Sequence, residues 1–239
     1  IDISEKEKYA LILMDFTSGE IVDILHNRWH HTIENYFFSI PYEERKHVRY
    51  IISDAYKPYL ELPKHFFPNA VSILDSFHVV KYLLGLINTY INSVMKAYKD
   101  RDLKRLEKQN HDTNRDNKTI QESQEVIYRW VLLKNQDNIN YSDKRYYHSS
   151  LRMYADTYTI EKLFLSLDPK FNIIRDVKEK YIRFNNTHFS SEDEVMQELL
   201  KMIEEFKALR GYIPRLFSQY LDKYKHEIAR SFTITEVSR

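Results

Sequence analysis

"VRYIISDAYKPYLELPKHFFPNAVSILDSFHVVK", residues 48–81, decides how this chain folds. Two apolar runs, "VRYIIS" (48–53) and "AVSIL" (70–74), each suit a strand, and each ends on a carboxylate, Asp54 and Asp75. Between them "AYKPYLELPKHFF" (55–67) reads as a short helix interrupted by Pro58 and Pro63, and Pro68-Asn69 is a turn signal. Helices that return a chain to parallel strands are the mark of an α/β architecture. Ser76 is placed to cap a long helix. In it Val79, Val80, Leu83, Leu84, Ile87, Tyr90, Ile91, Val94, Met95 and Tyr98 recur at spacings of three and four, the strongest amphipathic signal in the chain.

Upstream, "YALILMDFT" starting at Tyr9, the turn signal "TSG" and "EIVDIL" (20–25) read as a hairpin, with Gly19 able to take a positive φ. "RWHHTIENYFFSI" (28–40) places Trp29, Ile33, Tyr36 and Phe37 at helical spacing, and Pro41 ends it. A further strand could begin at Ile1.

Downstream the character changes at about residue 99. Residues 99–124 are dense in Lys, Arg, Asp, Asn and Gln and read as an exposed helix, a linker or a mobile loop. From 125 onward the pattern is all-helical, with "EVIYRWVLLK" (125–134), "SLRMYADTYTIEKLFLSL" (150–167), "FNIIRDVKEKYIRFNN" (171–186), "SSEDEVMQELLKMIEEFKALRGY" (190–212) and "RLFSQYLDKYKHEIARSF" (215–232) as helices. In the fourth, Ser191 and Glu194 form a capping box and Gly211 closes the helix. The division expected is therefore a sheet-bearing core over 1–98 and a mainly helical region over 99–239.

Composition narrows the function classes. The 239 residues carry 36 basic and 35 acidic side chains, so no global charge argues for nucleic-acid binding. The densest basic run is Lys96, Lys99, Arg101, Lys104, Arg105 and Lys108. With Asp100, Asp102 and Glu107 interleaved, it reads either as a solvated helix face or as a DNA contact. Only Gly19, Gly85 and Gly211 are present, which excludes glycine-rich phosphate loops. Cys is absent, which excludes disulfides and thiolate metal sites and fits a cytoplasmic setting. No apolar run approaches the roughly 20 residues of a membrane span. The 19 tyrosines suit amphipathic packing at core edges. The chain starts Ile-Asp-Ile, with neither Met nor a signal-peptide pattern, so residues before Ile1 are expected.

Acids carry the chemical interest. Asp2 lies between two isoleucines, and Asp54 and Asp75 terminate apolar strands. Ligands collect beyond the carboxyl ends of parallel strands. Carboxylates converging there suit Mg²⁺, and two such ions about 4 Å apart can activate a water and stabilise a leaving oxygen. The plainer role of an Asp after a strand is to form a turn or cap a helix. Asp15 and Asp23 fit that role in the hairpin. His78 follows Asp75 by three residues, where a packed or hydrogen-bonded histidine is the commoner case. His30 and His31 are adjacent on a helix and face different directions, so one ion rarely receives both.

Taken together, "ISDAYKPYLELPKHFFPNAVSILDSFHVVK" (52–81) resembles the DDE transposases of the bacterial insertion-sequence ISL-three group. Their pattern is an apolar strand, Asp, an aromatic, x-Pro-Tyr, a helix, Phe-Pro-Asn-Ala, a strand, then Asp-x-Phe-His-Val-Val. The resemblance covers nearly the whole chain and is specific at 52–81. It implies an α/β fold with a ribonuclease-H-like mixed-sheet core and a large all-helical insertion. It also implies cutting at transposon ends and joining to target DNA, with an Asp-Asp-Glu set holding two Mg²⁺ (or Mn²⁺) ions.

Asp54 matches the second acid and Asp2 the first, though the Glu that usually follows the first is Ile3 here. Asp75 and His78 match the Asp-x-Phe-His motif and are implied to position substrate or ligands rather than to join the triad. The family's Glu lies in a Ser-Asn-x-x-x-Glu-x-x-Asn segment, expected just after "TITEVSR", and Glu236 does not match it. The expectation is a fragment truncated before its third acid. The implied partners are double-stranded DNA, at transposon ends and target, and further copies of the chain in a homo-oligomer, with no membrane role and a cytoplasmic location, associated with the nucleoid when bound to DNA. Two alternatives stay open: a nuclease on the same fold, and a non-catalytic DNA-binding or assembly module.

Overall fold

The computed structural model describes residues 9–109, 128–149 and 151–233. The fold is mixed α/β, with three two-stranded sheets among many helices. The chain divides into two compact units: residues 1–79 with 188–199 and 224–239, and residues 80–187 with 200–223.

The first unit opens with the expected hairpin, β1 (Leu11–Met14) and β2 (Ile21–Leu25), paired antiparallel with Ile12 opposite Ile24. Asp15 makes the turn. Its carbonyl accepts the Gly19 N–H at 2.9 Å, and its carboxylate accepts the Ser18 N–H at 2.7 Å. Those Ser18 bonds favour the ionised form and lower the Asp15 pKa. Gly19 sits at φ +73°, the left-handed conformation that glycine takes without steric cost. Helix α1 (His30–Ser39) and the short α2 (Tyr42–Arg45) follow.

Strand β3 (Tyr50–Ser53) then leads through α3 (Lys57–Leu60) and α4 (Leu62–Phe66) to β4 (Val71–Leu74). The single interrupted helix expected over 55–67 is two helices. Each has its proline in the first turn, where the missing N–H costs nothing, so Pro58 and Pro63 start helices rather than break one. β3 and β4 pair in parallel, from Tyr50 with Val71 to Ser53 with Leu74.

The hairpin packs one face into a core of Leu11, Leu25, Ile33, Phe37, Leu62, Phe66 and Phe67. Phe37 meets Phe67 edge-to-face with ring centroids 5.0 Å apart. Ile73 and Leu74 of β4 are fully buried. The last helix, α11 (Lys225–Thr233), packs on β4: Arg230 donates to the Ser72 carbonyl at 3.2 Å, and Ile228 and Ala229 are buried.

The second unit takes its scaffold from α5 (Ser76–Gln109, whose first residues belong to the first unit), whose Leu83, Ile87 and Ile91 are fully buried. Its other elements are α6 (Trp130–Leu133), the strands β5 (Tyr146–His148) and β6 (Met153–Ala155), and the helices α7 (Thr157–Ser166), α8 (Lys170–Asn185), α9 (Glu192–Ala208, whose first residues belong to the first unit) and α10 (Tyr212–Lys223). Tyrosines tie these elements together by their polar tips. Tyr90 donates to Asp168 at 2.9 Å and Tyr98 to the Leu167 carbonyl at 2.6 Å. Burial, with the Asp168 charge beside it, pushes the Tyr90 hydroxyl up to about 12.

Three helical expectations need correction here. The region is not all-helical, because β5 and β6 form an antiparallel hairpin whose turn puts Arg152 at φ +49°. "MYA" therefore pairs as a strand, and the helix expected over 150–167 begins only at Thr157, where the Asp156 carboxylate accepts the Thr159 N–H at 2.7 Å. The helix expected over 215–232 is two, α10 and α11, parted at Tyr224. The capping box is shifted by one position: the Ser191 hydroxyl accepts the Glu194 N–H, but the Glu194 carboxylate accepts the Ser190 N–H.

Lys178 on α8 is fully buried. Its ammonium pairs with Glu179 at 2.7 Å and donates to the Lys134 carbonyl. Burial lowers its pKa despite Glu179, so the unfolded chain holds that proton more firmly than the folded one. Stability contributed by this site therefore rises with pH up to the free-lysine value of 10.5. Denaturation at several pH values checks this: the rise is expected in the wild type and absent from Lys178→Met. Phe37, at 4% exposure, makes a second test. Phe37→Ala is expected to cost about 3–5 kcal/mol, whereas Val22→Thr on the open face of the hairpin, at 65% exposure, should change stability by less than about 0.5 kcal/mol.

Candidate active site at the carboxyl end of the parallel strand pair

The parallel register fixes where the acids fall. The Asp75 N–H donates to the Ser53 carbonyl at 3.0 Å, continuing the β3–β4 ladder by one step. Asp54 and Asp75 are the residues immediately after β3 and β4, so the fold brings both to one sheet end. Both side chains are partly exposed. Each carboxylate is oriented by a local backbone bond: Asp54 Oδ1 accepts the Tyr56 N–H at 3.0 Å, and Asp75 Oδ1 accepts the Phe77 N–H at 2.9 Å.

The second oxygens differ. Asp75 Oδ2 faces His78 Nε2 at 3.7 Å. Asp54 Oδ2 accepts no hydrogen bond from the described residues. An orientated carboxylate with one open oxygen is a hard donor of the kind Mg²⁺ and Mn²⁺ take. No group of three His, Asp or Glu that could hold a metal ion occurs among the described residues. Asp2 and Glu236 lie outside them.

An aromatic and cationic cluster adjoins Asp54, and pattern reading misses it. The Arg28 guanidinium lies over the Tyr9 ring at 4.3 Å and the Tyr56 ring at 4.6 Å. Tyr56 meets Tyr59 edge-to-face at 4.9 Å. Burial raises the Tyr59 pKa; the nearby Arg28 charge opposes that rise, and Asp54 adds to it. Tyr59 is thus within electrostatic reach of both Arg28 and Asp54. The spacing puts Arg28 at the start of a helix over 28–40, but α1 begins at His30. Arg28 stands instead in the loop after β2, where buried Asn27 accepts the Trp29 N–H at 3.0 Å and fixes the backbone. The available signal is its position between a strand end and an aromatic helix start.

The remaining histidine candidates have ordinary partners. His30 pairs with Glu34 at 3.0 Å, and the His31 ring lies 5.5 Å from that of Trp29. Of the basic run, Lys96, Lys99 and Arg101 are exposed on α5, with Arg101 over the Tyr98 ring at 5.2 Å. The side chains of Lys104, Arg105 and Lys108 fall outside the described ones.

No helix among the described residues is long and apolar enough to cross a membrane. No curated protein and no solved structure is significantly similar to the chain. One family model, described as that of a transposase and defined on the ISL3 (ISL-three) group of DDE enzymes, matches residues 1–238. With the match spanning nearly the full sequence, the chain belongs to the ISL3-group DDE transposase family.

Proposed function

We propose that this chain is the catalytic part of a DNA transposase acting by metal-dependent phosphodiester hydrolysis and strand transfer at insertion-sequence ends. The observation that carries the reading is Asp54: a carboxylate at a parallel strand tip, orientated by the Tyr56 N–H with its other oxygen open, in a chain of this family. Asp54 and Asp2 would be the carboxylates that hold Mg²⁺ or Mn²⁺. When bound, the ions would supply charge neutralisation at the phosphate and would lower the pKa of a nearby water.

The protein's own part is placement. The Asx turn of Asp54 fixes the direction of its carboxylate before any ligand arrives, which lowers the reorganisation needed at reaction. Asp75, paired with His78, holds a second carboxylate at the same sheet end and serves as a positioning group for the Asp54 end. The proposed frame is a ribonuclease-H-like core over 1–98 and a mainly helical insertion region over 99–239. Double-stranded DNA is the proposed substrate, with the chain acting as a homo-oligomer in the cytoplasm, associated with the nucleoid when bound to DNA.

Calorimetric Mn²⁺ titration tests the metal role. Asp54→Ala is expected to weaken binding by at least about ten-fold, and equal affinities would remove Asp54 from the site. The basic run is tested by salt. Lys96→Glu, Lys99→Glu and Arg101→Glu together should lower duplex affinity and flatten its salt dependence by about 0.9 for each phosphate that is no longer neutralised. An unchanged slope would make the run a solvated helix face.

A further inference from the structure

We propose that Arg28 is a DNA-phosphate contact of the Asp54 site, its guanidinium held over the rings of Tyr9 and Tyr56. This rests on the transposase reading and names a residue that reading does not use. Two other arginines of the first unit, Arg45 and Arg230, spend donors on protein carbonyls. Arg45 donates Nε to the Ile40 carbonyl at 3.0 Å and Nη1 to the Phe66 carbonyl at 2.7 Å, and Arg230 donates to the Ser72 carbonyl at 3.2 Å.

Arg28 is different. Its described contacts are two aromatic rings and the neighbouring Tyr59 hydroxyl, and no carboxylate among the described residues lies within ion-pair distance. A guanidinium has five N–H donors, so most of its edge is unspent. Ring faces fix the cation in place without consuming those donors or cancelling its charge.

Tyr56 links this cation to the candidate chemistry. Its backbone N–H holds the Asp54 carboxylate while its ring carries Arg28. A planar fork of donors beside a cation-binding carboxylate suits a phosphodiester, whose oxygens accept paired N–H bonds. The contact is to the backbone of the strand and carries no base information.

The test uses the chain with a fluorescent DNA duplex, measuring anisotropy over a series of salt concentrations. Arg28→Gln and Arg28→Lys are compared with the wild type after circular dichroism, and Mn²⁺ titration is run in parallel. Arg28→Gln is expected to lose about ten-fold in affinity and to flatten the salt slope by about one, with Mn²⁺ binding retained. Arg28→Lys keeps the charge and should keep the wild-type slope with a smaller loss. A purely structural role would leave the slope unmoved in Arg28→Gln, or flatten it in both variants, and either result overturns the inference while the metal reading stands. A wild type that binds no duplex overturns the inference together with the DNA-substrate reading it rests on.

Discussion

The parallel pairing of β3 with β4 is the constraint on which the candidate site depends. Two adjacent strands share a carboxyl end only when the chain crosses back between them. The crossing here uses seventeen residues, 54–70, and both short helices in it begin on a proline turn. The ladder reaches one residue past β4, where the Asp75 N–H meets the Ser53 carbonyl, so the spacing of the two acids is set by backbone bonds rather than by side-chain choice. A slip of one residue in this register would turn Ile73 out of the core and carry Asp75 away from Asp54.

Much of this is legible in the sequence because local rules and tertiary demands agree there. Alternation around "TSG" points to the hairpin, and the turn forms through Asp15 and Gly19. Apolar runs ending in Asp point to β3 and β4, and the three-four repeat after Ser76 points to α5. The misreadings fall where one residue type serves two structures. Proline reads as a breaker at positions where it starts a helix, and "MYA" merges into a helical pattern because tyrosine and methionine suit either period.

The site divides in the same way. Asp54 and Asp75 stand out because a carboxylate after an apolar strand is a local contrast. Asp54's open oxygen does not, since it follows from which N–H groups the turn aims at it. Arg28 is invisible for another reason. Its partners, Tyr9 and Tyr56, are far from it in sequence, and cation–π contacts leave no periodic trace. The return of α11 to β4 through Arg230 and Ser72 is likewise a long-range fact, joining residues 158 positions apart.

The β1–β2 hairpin has a practical consequence. Besides the Leu11 and Leu25 side that enters the core, it displays Ile12, Met14, Ile21 and Ile24, each more than half exposed, on a ribbon that pairs no third strand among the described residues. Among the described residues such a ribbon has unpaired edges as well as greasy side chains, with no proline and only Asp23 as a charge to blunt its strands. In purified form this segment is an aggregation-prone face. It is where a concentrated preparation will begin to stick to itself, and a lysine at Ile12 or Ile24 is the change that would keep the protein in solution.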